Sequence, residues 1–238
     1  MHAVTSILAT RRSNGSMTAP ESRWRFLLGL ALPVLDHVFP PPLASGERPP
    51  WTLGGGTAIA VWIDHRISYD VDLFVPGVPL KQLTPAHNPF ASRIAPHFQW
   101  PGHYLKFERP EGEIDFLSPA LQTEPGFAWK DIDGRPIAVE TPEEVIVKKI
   151  RFRSARLTAR DVFDLAAVAA THNGLAETLA RDVPDALART RESLELQASR
   201  GQDVLARSVV PTPSGRAYLD DAFGMARRVL AAAADLSD

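Results

Sequence analysis

Three consecutive glycines, Gly54, Gly55 and Gly56, separate a short apolar stretch from Thr57-Ala58-Ile59-Ala60-Val61-Trp62, and Asp70-Val71-Asp72-Leu73-Phe74 follows soon after. This run constrains the fold more than any other. Residues 51–53 read as a strand, 57–62 as a short helix and 71–75 as a second strand, so the chain turns from strand to helix through glycine alone. Phosphate oxygens need backbone N–H groups at close range, and side chains obstruct that approach. Gly55 and Gly56 permit it, and the following helix presents free N–H groups at its positive end. Thr57 adds a hydroxyl that can donate to the same ligand.

Asp70 and Asp72 are two apart on a predicted strand, so both carboxylates project from one face while Val71, Leu73 and Val75 enter the core. Carboxylates so close repel unless a positive charge lies between them. Magnesium, a hard cation preferring oxygen ligands, meets that need, and manganese is a second candidate. The parity recurs in Gly112-Glu113-Ile114-Asp115-Phe116-Leu117, where Ile114 and Phe116 face inward and Asp115 outward. If the two strands are neighbours, Asp115 completes a three-carboxylate cluster. Such a cluster can hold two metals, and Asp115 becomes the candidate to accept a proton from an attacking hydroxyl.

The remainder divides in two. Residues 22–38 carry apolar side chains at helical spacing, interrupted by Pro33, which should kink the helix. Residues 40–50 hold five prolines and form a connection. Residues 81–97 are assigned as helix against an irregular alternative. Residues 103–108 and 113–117 form a hairpin across Arg109-Pro110-Glu111-Gly112, and 136–140 is a further strand. From Thr141 the pattern becomes helical, over about 143–153, 160–172, 175–198 and 214–236. The division expected is a mobile tail over 1–20 (Met17 being an alternative start), an α/β core over 21–140, and a helical unit over 141–238 that packs on the core and completes the site.

With no cysteine among 238 residues, disulfides, thiolate metal sites and cysteine nucleophiles are excluded. The net charge of −2 gives no global attraction to nucleic acid or membrane. No apolar run is long enough to cross a bilayer, and residues 1–20 lack a secretory pattern. The cytoplasm is the expected location.

Together the glycine turn, short helix, Asp-x-Asp strand and later lone carboxylate resemble the DNA polymerase beta-like nucleotidyltransferase superfamily. Within it, Gly55-Gly56-Thr57-Ala58-Ile59-Ala60, then His65-Arg66 and Ser68, then Asp70-Val71-Asp72-Leu73-Phe74, is similar to the AbiEii/AbiGii type of toxin. So are Glu143, Glu144 and Lys149, twelve residues before Asp161, and Arg160-Asp161-Val162-Phe163-Asp164-Leu165. The resemblance spans roughly residues 50–170. It implies an α+β fold: a mixed sheet with flanking helices, then a helical half. It implies metal on Asp70 and Asp72, Lys149 on nucleotide phosphates, and Asp161 as a further acidic site residue. It also implies a toxin paired with an antitoxin, which transfers nucleotides to the 3′ end of transfer RNA or binds GTP. One departure is that Gly56 is followed by Thr57 rather than by serine at the usual second position.

Residues 148–160 carry Lys148, Lys149, Arg151, Arg153, Arg156 and Arg160 with no acid among them. They form either a solvated helix face or a patch for triphosphate and RNA backbone. Arg66 is assigned either to nucleotide phosphate or to locking Asp70. Asp161 and Asp164 share a helix face; Asp161 is assigned to the site and Asp164 to structure. Trp100 and Tyr104 could stack on a base, and are assigned to the core instead. The leading function is transfer of a nucleoside monophosphate from a triphosphate to an RNA 3′ end. The alternatives are a protein or small-molecule acceptor, and a nucleotide-binding module without turnover.

Overall fold

The computed structural model describes residues 21–41 and 48–237. The tail expected over 1–20 and most of the 40–50 connection lie outside these residues.

Helix α1 (Trp24–Val38) buries Leu27, Leu28, Ala31, Val34 and Leu35, with Pro33 inside it. Strand β1 (Thr52–Gly54) leads into α2 (Gly55–Ile63), and β2 (Val71–Phe74) follows. Strands β3 (Phe98–Gln99), β4 (Tyr104–Arg109), β5 (Gly112–Leu117), β6 (Phe127–Ile132) and β7 (Arg135–Glu140) complete one sheet of seven strands, ordered β3-β4-β5-β2-β1-β7-β6. It is mixed: β2 runs parallel to β5 and β1 parallel to β7, while the remaining pairs are antiparallel. Val71, Leu73, Leu105, Phe107, Ile114 and Phe116 are fully buried, the period-2 pattern of a sheet with one face on the core. Helix α1 packs against β2 and β5.

The helical half begins where the sequence places it. Thr141 accepts a hydrogen bond from the Glu144 N–H, and Pro142 opens α3 (Pro142–Arg153), its missing N–H being one the first turn leaves unused. Thr158 and Asp161 form a capping box that starts α4 (Ala159–Thr171). Then come α5 (Leu175–Asp182), α6 (Leu187–Ala198), α7 (Asp203–Ser208), α8 (Arg216–Leu219) and α9 (Ala222–Ser237). One continuous set of buried apolar side chains runs through the sheet and the helices.

Several expectations are corrected. Residues 81–97 form two single 3₁₀ turns, Leu80–Leu83 and Ala91–Arg93, not a helix. Pro85 and Pro89 remove donors from any helical ladder there. The helix expected over 175–198 breaks at Pro184 into α5 and α6, and that over 214–236 is split into α8 and α9. Strand β6 adds to the one strand expected in this region, 136–140. It pairs with β7 through Asp133-Gly134, both at positive φ (55° and 80°), the backbone of a two-residue hairpin turn. Trp100 does not pack in the core: it is 45% exposed.

Candidate active site

The sheet brings the carboxylates together by register. Asp72 on β2 is the direct neighbour of Asp115 on β5, and Asp115 is opposite Lys106 on β4. On the other side Asp72 is opposite Gly54. Directly neighbouring residues share a face of the sheet, so Lys106, Asp115 and Asp72 form one polar row. Asp70 stands immediately before β2.

The glycine turn lies against this row. Gly54 caps α2 with no side chain, so the first N–H groups of the helix keep their donors free of a capping oxygen. Gly55 sits at φ +63°, and a Cβ there would meet Asp72 Oδ2 at 1.8 Å. A Cβ on Gly56 would meet an Arg66 guanidinium nitrogen at 2.0 Å. Backbone, carboxylate and guanidinium thus fill the space that side chains would occupy.

A cleft of about 790 Å³ opens over the row, lined by Gly55, Gly56, the three carboxylates and Lys106 on one side. Val145, Lys148, Lys149, Phe152 and Arg153 of α3 line the other. Their spacing of three and four puts them on one helix face. Phe152 is 52% exposed there, an aromatic ring left open.

The electrostatics follow from burial. Desolvation pushes the Asp115 carboxyl up to about 7, reinforced by Asp72 and opposed by Lys106. Asp72 is raised chiefly by burial, against the pull of Lys149, with Asp70 adding repulsion. Asp115 Oδ1 is buried with no hydrogen-bond partner. Two crowded carboxylates with an orphaned oxygen suit a cation. Asp70, by contrast, accepts a hydrogen bond from the Glu113 N–H at 3.2 Å. It also lies 3.7 Å from an Arg160 nitrogen. Among the described residues no three acidic or histidine side chains are arranged to hold one metal ion together. Asp72 and Asp115 therefore fit a cation as they stand, and Asp70 is held to Arg160 and the β5 backbone.

Lys149 reaches both acids of α4. Its ammonium is bonded to Asp161 and lies 3.1 Å from Asp164 Oδ2. Asp161 also accepts from the Thr158 N–H and hydroxyl. Burial would raise its pKa, but Lys149 and these bonds hold it below the usual carboxylate range. Asp161 lines the cleft, whereas Asp164 lies beneath it. Asp164 binds Arg66 at two points, 2.6 and 2.9 Å, and His65 Nε2 at 2.7 Å.

Two assigned binding residues have protein partners of their own, Arg66 at the lining of the cleft and Thr57 outside it. Arg66 pairs with Asp164 and not with Asp70, and its remaining nitrogen donates to the Ile67 carbonyl. The Thr57 hydroxyl is buried against Ser68 Oγ at 2.8 Å and the Asp70 carbonyl, away from the cleft. The basic stretch is likewise divided. Lys148 turns inward to Glu140 at 2.6 Å, and Arg151 binds the Asp182 carbonyl. Arg153 and Arg160 face the cleft.

Sequence reasoning missed Lys106 and Glu140 as cleft residues. Lys106 could have been found by counting back from the Pro110-Glu111 turn, which places it opposite Asp115. Glu140 ends β7 beside the glycine turn, where its Oε2 lies 2.5 Å from the position of a Gly54 Cβ. Its pairing with Lys148 has no local signal.

Two solved structures align with most of the chain. A proposed nucleotidyltransferase from H. pylori shares 15% identity over 92% of this chain and 100% of its own, with a TM-score of 0.46. The JHP933 protein of Helicobacter pylori shares 14% over 89% of this chain and 94% of its own, with a TM-score of 0.45. No curated protein matches. The family model for the nucleotidyl transferase AbiEii toxin, type IV toxin–antitoxin system, matches residues 43–213, which include the glycine turn, all three carboxylates, Lys149 and Asp161. By that match the chain belongs to the AbiEii nucleotidyltransferase toxin family and is a nucleotidyltransferase.

Proposed function

We propose that this protein transfers a nucleoside monophosphate from a triphosphate to the 3′ hydroxyl of an RNA, transfer RNA being the expected acceptor, as the toxin of a toxin–antitoxin pair. The observation that carries this reading is the adjacency of Asp72 and Asp115 on neighbouring parallel strands, directly beside a stretch of backbone without side chains.

In this reading the α/β unit to residue 140 supplies the carboxylates and the phosphate turn. The helical unit from 141 closes the site with Lys149 and Asp161. The triphosphate rests on the N–H groups of Gly55 and Gly56 at the positive end of α2. Lys149, held by Asp161, faces its phosphates. Phe152 offers a ring on which the base stacks. Magnesium or manganese held by Asp72 and Asp115, joined by Asp70, would neutralise the phosphates and polarise the attacking hydroxyl. Asp115 accepts the proton from the acceptor hydroxyl. The hydroxyl oxygen bonds to the α-phosphorus, the bond to the bridging oxygen breaks, and pyrophosphate leaves with its electron pair. Arg66 acts from below, holding the Gly56 backbone against the helical half.

The test is incubation of the full chain with α-labelled triphosphates, magnesium and total RNA, and in parallel with a protein extract. Label at RNA 3′ ends is the expected product. Label on protein instead would reassign the acceptor. Nucleotide binding with no labelled product in either mixture would overturn the catalytic reading.

A further inference from the structure

Lys106 occupies a position that the proposed chemistry leaves unexplained. It projects from β4 into the row of carboxylates, directly opposite Asp115. Its ammonium is bonded to Glu113 and lies 3.4 Å from Asp115 Oδ2. Glu113 and Asp115 are two apart on β5, so their side chains share a face and the lysine bridges them. The arrangement is graded by exposure. The Asp115 side chain is 18% exposed, Lys106 22% and Glu113 40%. The lysine stands between an inner acid beside Asp72 and an outer acid more open to water.

A solvated lysine gains little from a surface ion pair, and Glu113 alone would supply one. The inner contact has a different effect. Asp72 and Asp115 crowd each other at the floor of the cleft; Lys149 exerts the larger pull on Asp72, and Lys106 is the cation set against Asp115. A divalent ion on the same carboxylates would place like charges side by side with that ammonium.

We propose that Lys106 is a built-in counter-ion of Asp115 that the metal must displace, and that Glu113 is the acid that holds the lysine once it is displaced. The proposal rests on the reading of Asp72 and Asp115 as the cation site. The lysine keeps the acidic floor intact without metal and weakens bare-ion binding. The outer acid limits that weakening by giving the ammonium a second resting place within its own reach.

The two substitutions therefore act in opposite directions, which a merely structural salt bridge would not produce. Lys106→Gln removes the competitor, and Glu113→Gln leaves the lysine with Asp115 alone. The experiment is titration of the full chain with Mn²⁺ alone, without nucleotide, following free Mn²⁺ by electron paramagnetic resonance. Wild type, Lys106→Gln, Glu113→Gln and Asp72→Asn are compared, with circular dichroism melts to confirm folding. A second variant, Lys106→Met, keeps the apolar stem without the charge.

The expected result is Mn²⁺ binding about tenfold tighter in both Lys106 variants and several-fold weaker in Glu113→Gln; tenfold corresponds to about 1.4 kcal/mol, the order of a like-charge contact at this range when water screens it in part. Asp72→Asn should abolish binding. Unchanged affinity in folded Lys106 and Glu113 variants, with binding still lost in Asp72→Asn, would overturn the counter-ion role alone. Binding that is absent in wild type, or indifferent to Asp72→Asn, would overturn the cation site beneath it.

Discussion

Arg66, on the loop after the phosphate turn, and Asp164, in the helical half, form a buried two-point ion pair with bonds of 2.6 and 2.9 Å. Asp164 is fully buried and Arg66 nearly so. Burial would lift the Asp164 pKa, yet Arg66 and Lys149 hold it well below the carboxylate range. The loop is fixed further by the C-terminal half: the Ile67 N–H donates to the Val210 carbonyl at 2.8 Å, and the Thr212 hydroxyl to the Asp64 carbonyl. The loop that follows the phosphate turn and its helix is thus anchored by residues 98 to 148 positions later in the chain.

Removing one member of that pair should unfold more than it disarms. Asp164→Ala leaves Arg66, His65 and Lys149 without their shared acceptor, and a broken buried pair typically loses about 3–5 kcal/mol. Arg66→Lys cannot make the two-point contact and should lose stability in the same direction. Urea unfolding monitored by circular dichroism checks both. Wild-type midpoints would show that the halves are joined by other contacts.

The metal-free protein should become less stable as pH rises from about 4 to 7. Asp115 and Glu140 are each pushed up to about 7, first by burial. In the unfolded chain such groups ionise near 4, so the folded protein binds more protons across that window. The stability this contributes is complete below about 4 and lost as pH passes 7. Asp115→Asn should flatten the profile measured by urea melts from pH 4.5 to 8. A profile as steep as that of wild type would contradict the assignment. Asp161 and Asp164, whose pKa values are depressed, act oppositely and lose their contribution in acid.

Gly55→Ala and Gly77→Ala make a matched comparison. Both glycines have positive φ, +63° and +79°, but a Cβ on Gly77 meets nothing within 4 Å, whereas on Gly55 it strikes Asp72. Strain alone should reduce stability by about 1–2 kcal/mol in each. Only Gly55→Ala should also lose triphosphate binding, measured by calorimetry.

The fold was legible where one local signal sufficed. Thr141-Pro142 and Thr158 with Asp161 mark their helix starts, and strand parity turns Asp72 and Asp115 each away from its apolar neighbours, though only the sheet order makes β2 and β5 adjacent. Other features depended on distant partners. Nothing near Arg66 reveals that its acceptor is Asp164, because sequence spacing carries no information about a side chain from the other half. The order of β1, β2 and β7 likewise decides that Glu140 stands beside the glycine turn. Strand β6 has one local signal, Asp133-Gly134, which is strong hairpin chemistry. Pro184 within the expected 175–198 helix was a similar signal.

Phe152→Ala should weaken nucleoside triphosphate binding by about 1–3 kcal/mol, the usual effect of removing a stacking ring. Binding of inorganic tripolyphosphate, which has no base, should be unchanged. Equal losses for both ligands would place Phe152 in the fold of the cleft and not in base contact.

The most direct measurement is the rate of pyrophosphate release, with magnesium, triphosphate and total RNA, in wild type, Asp72→Asn and Asp115→Asn proteins of equal folded content. The account predicts release by wild type and a loss of at least about a hundredfold in each variant, as expected when a group that holds the metal or accepts the proton is removed. Release at the wild-type rate by folded Asp72→Asn would contradict it.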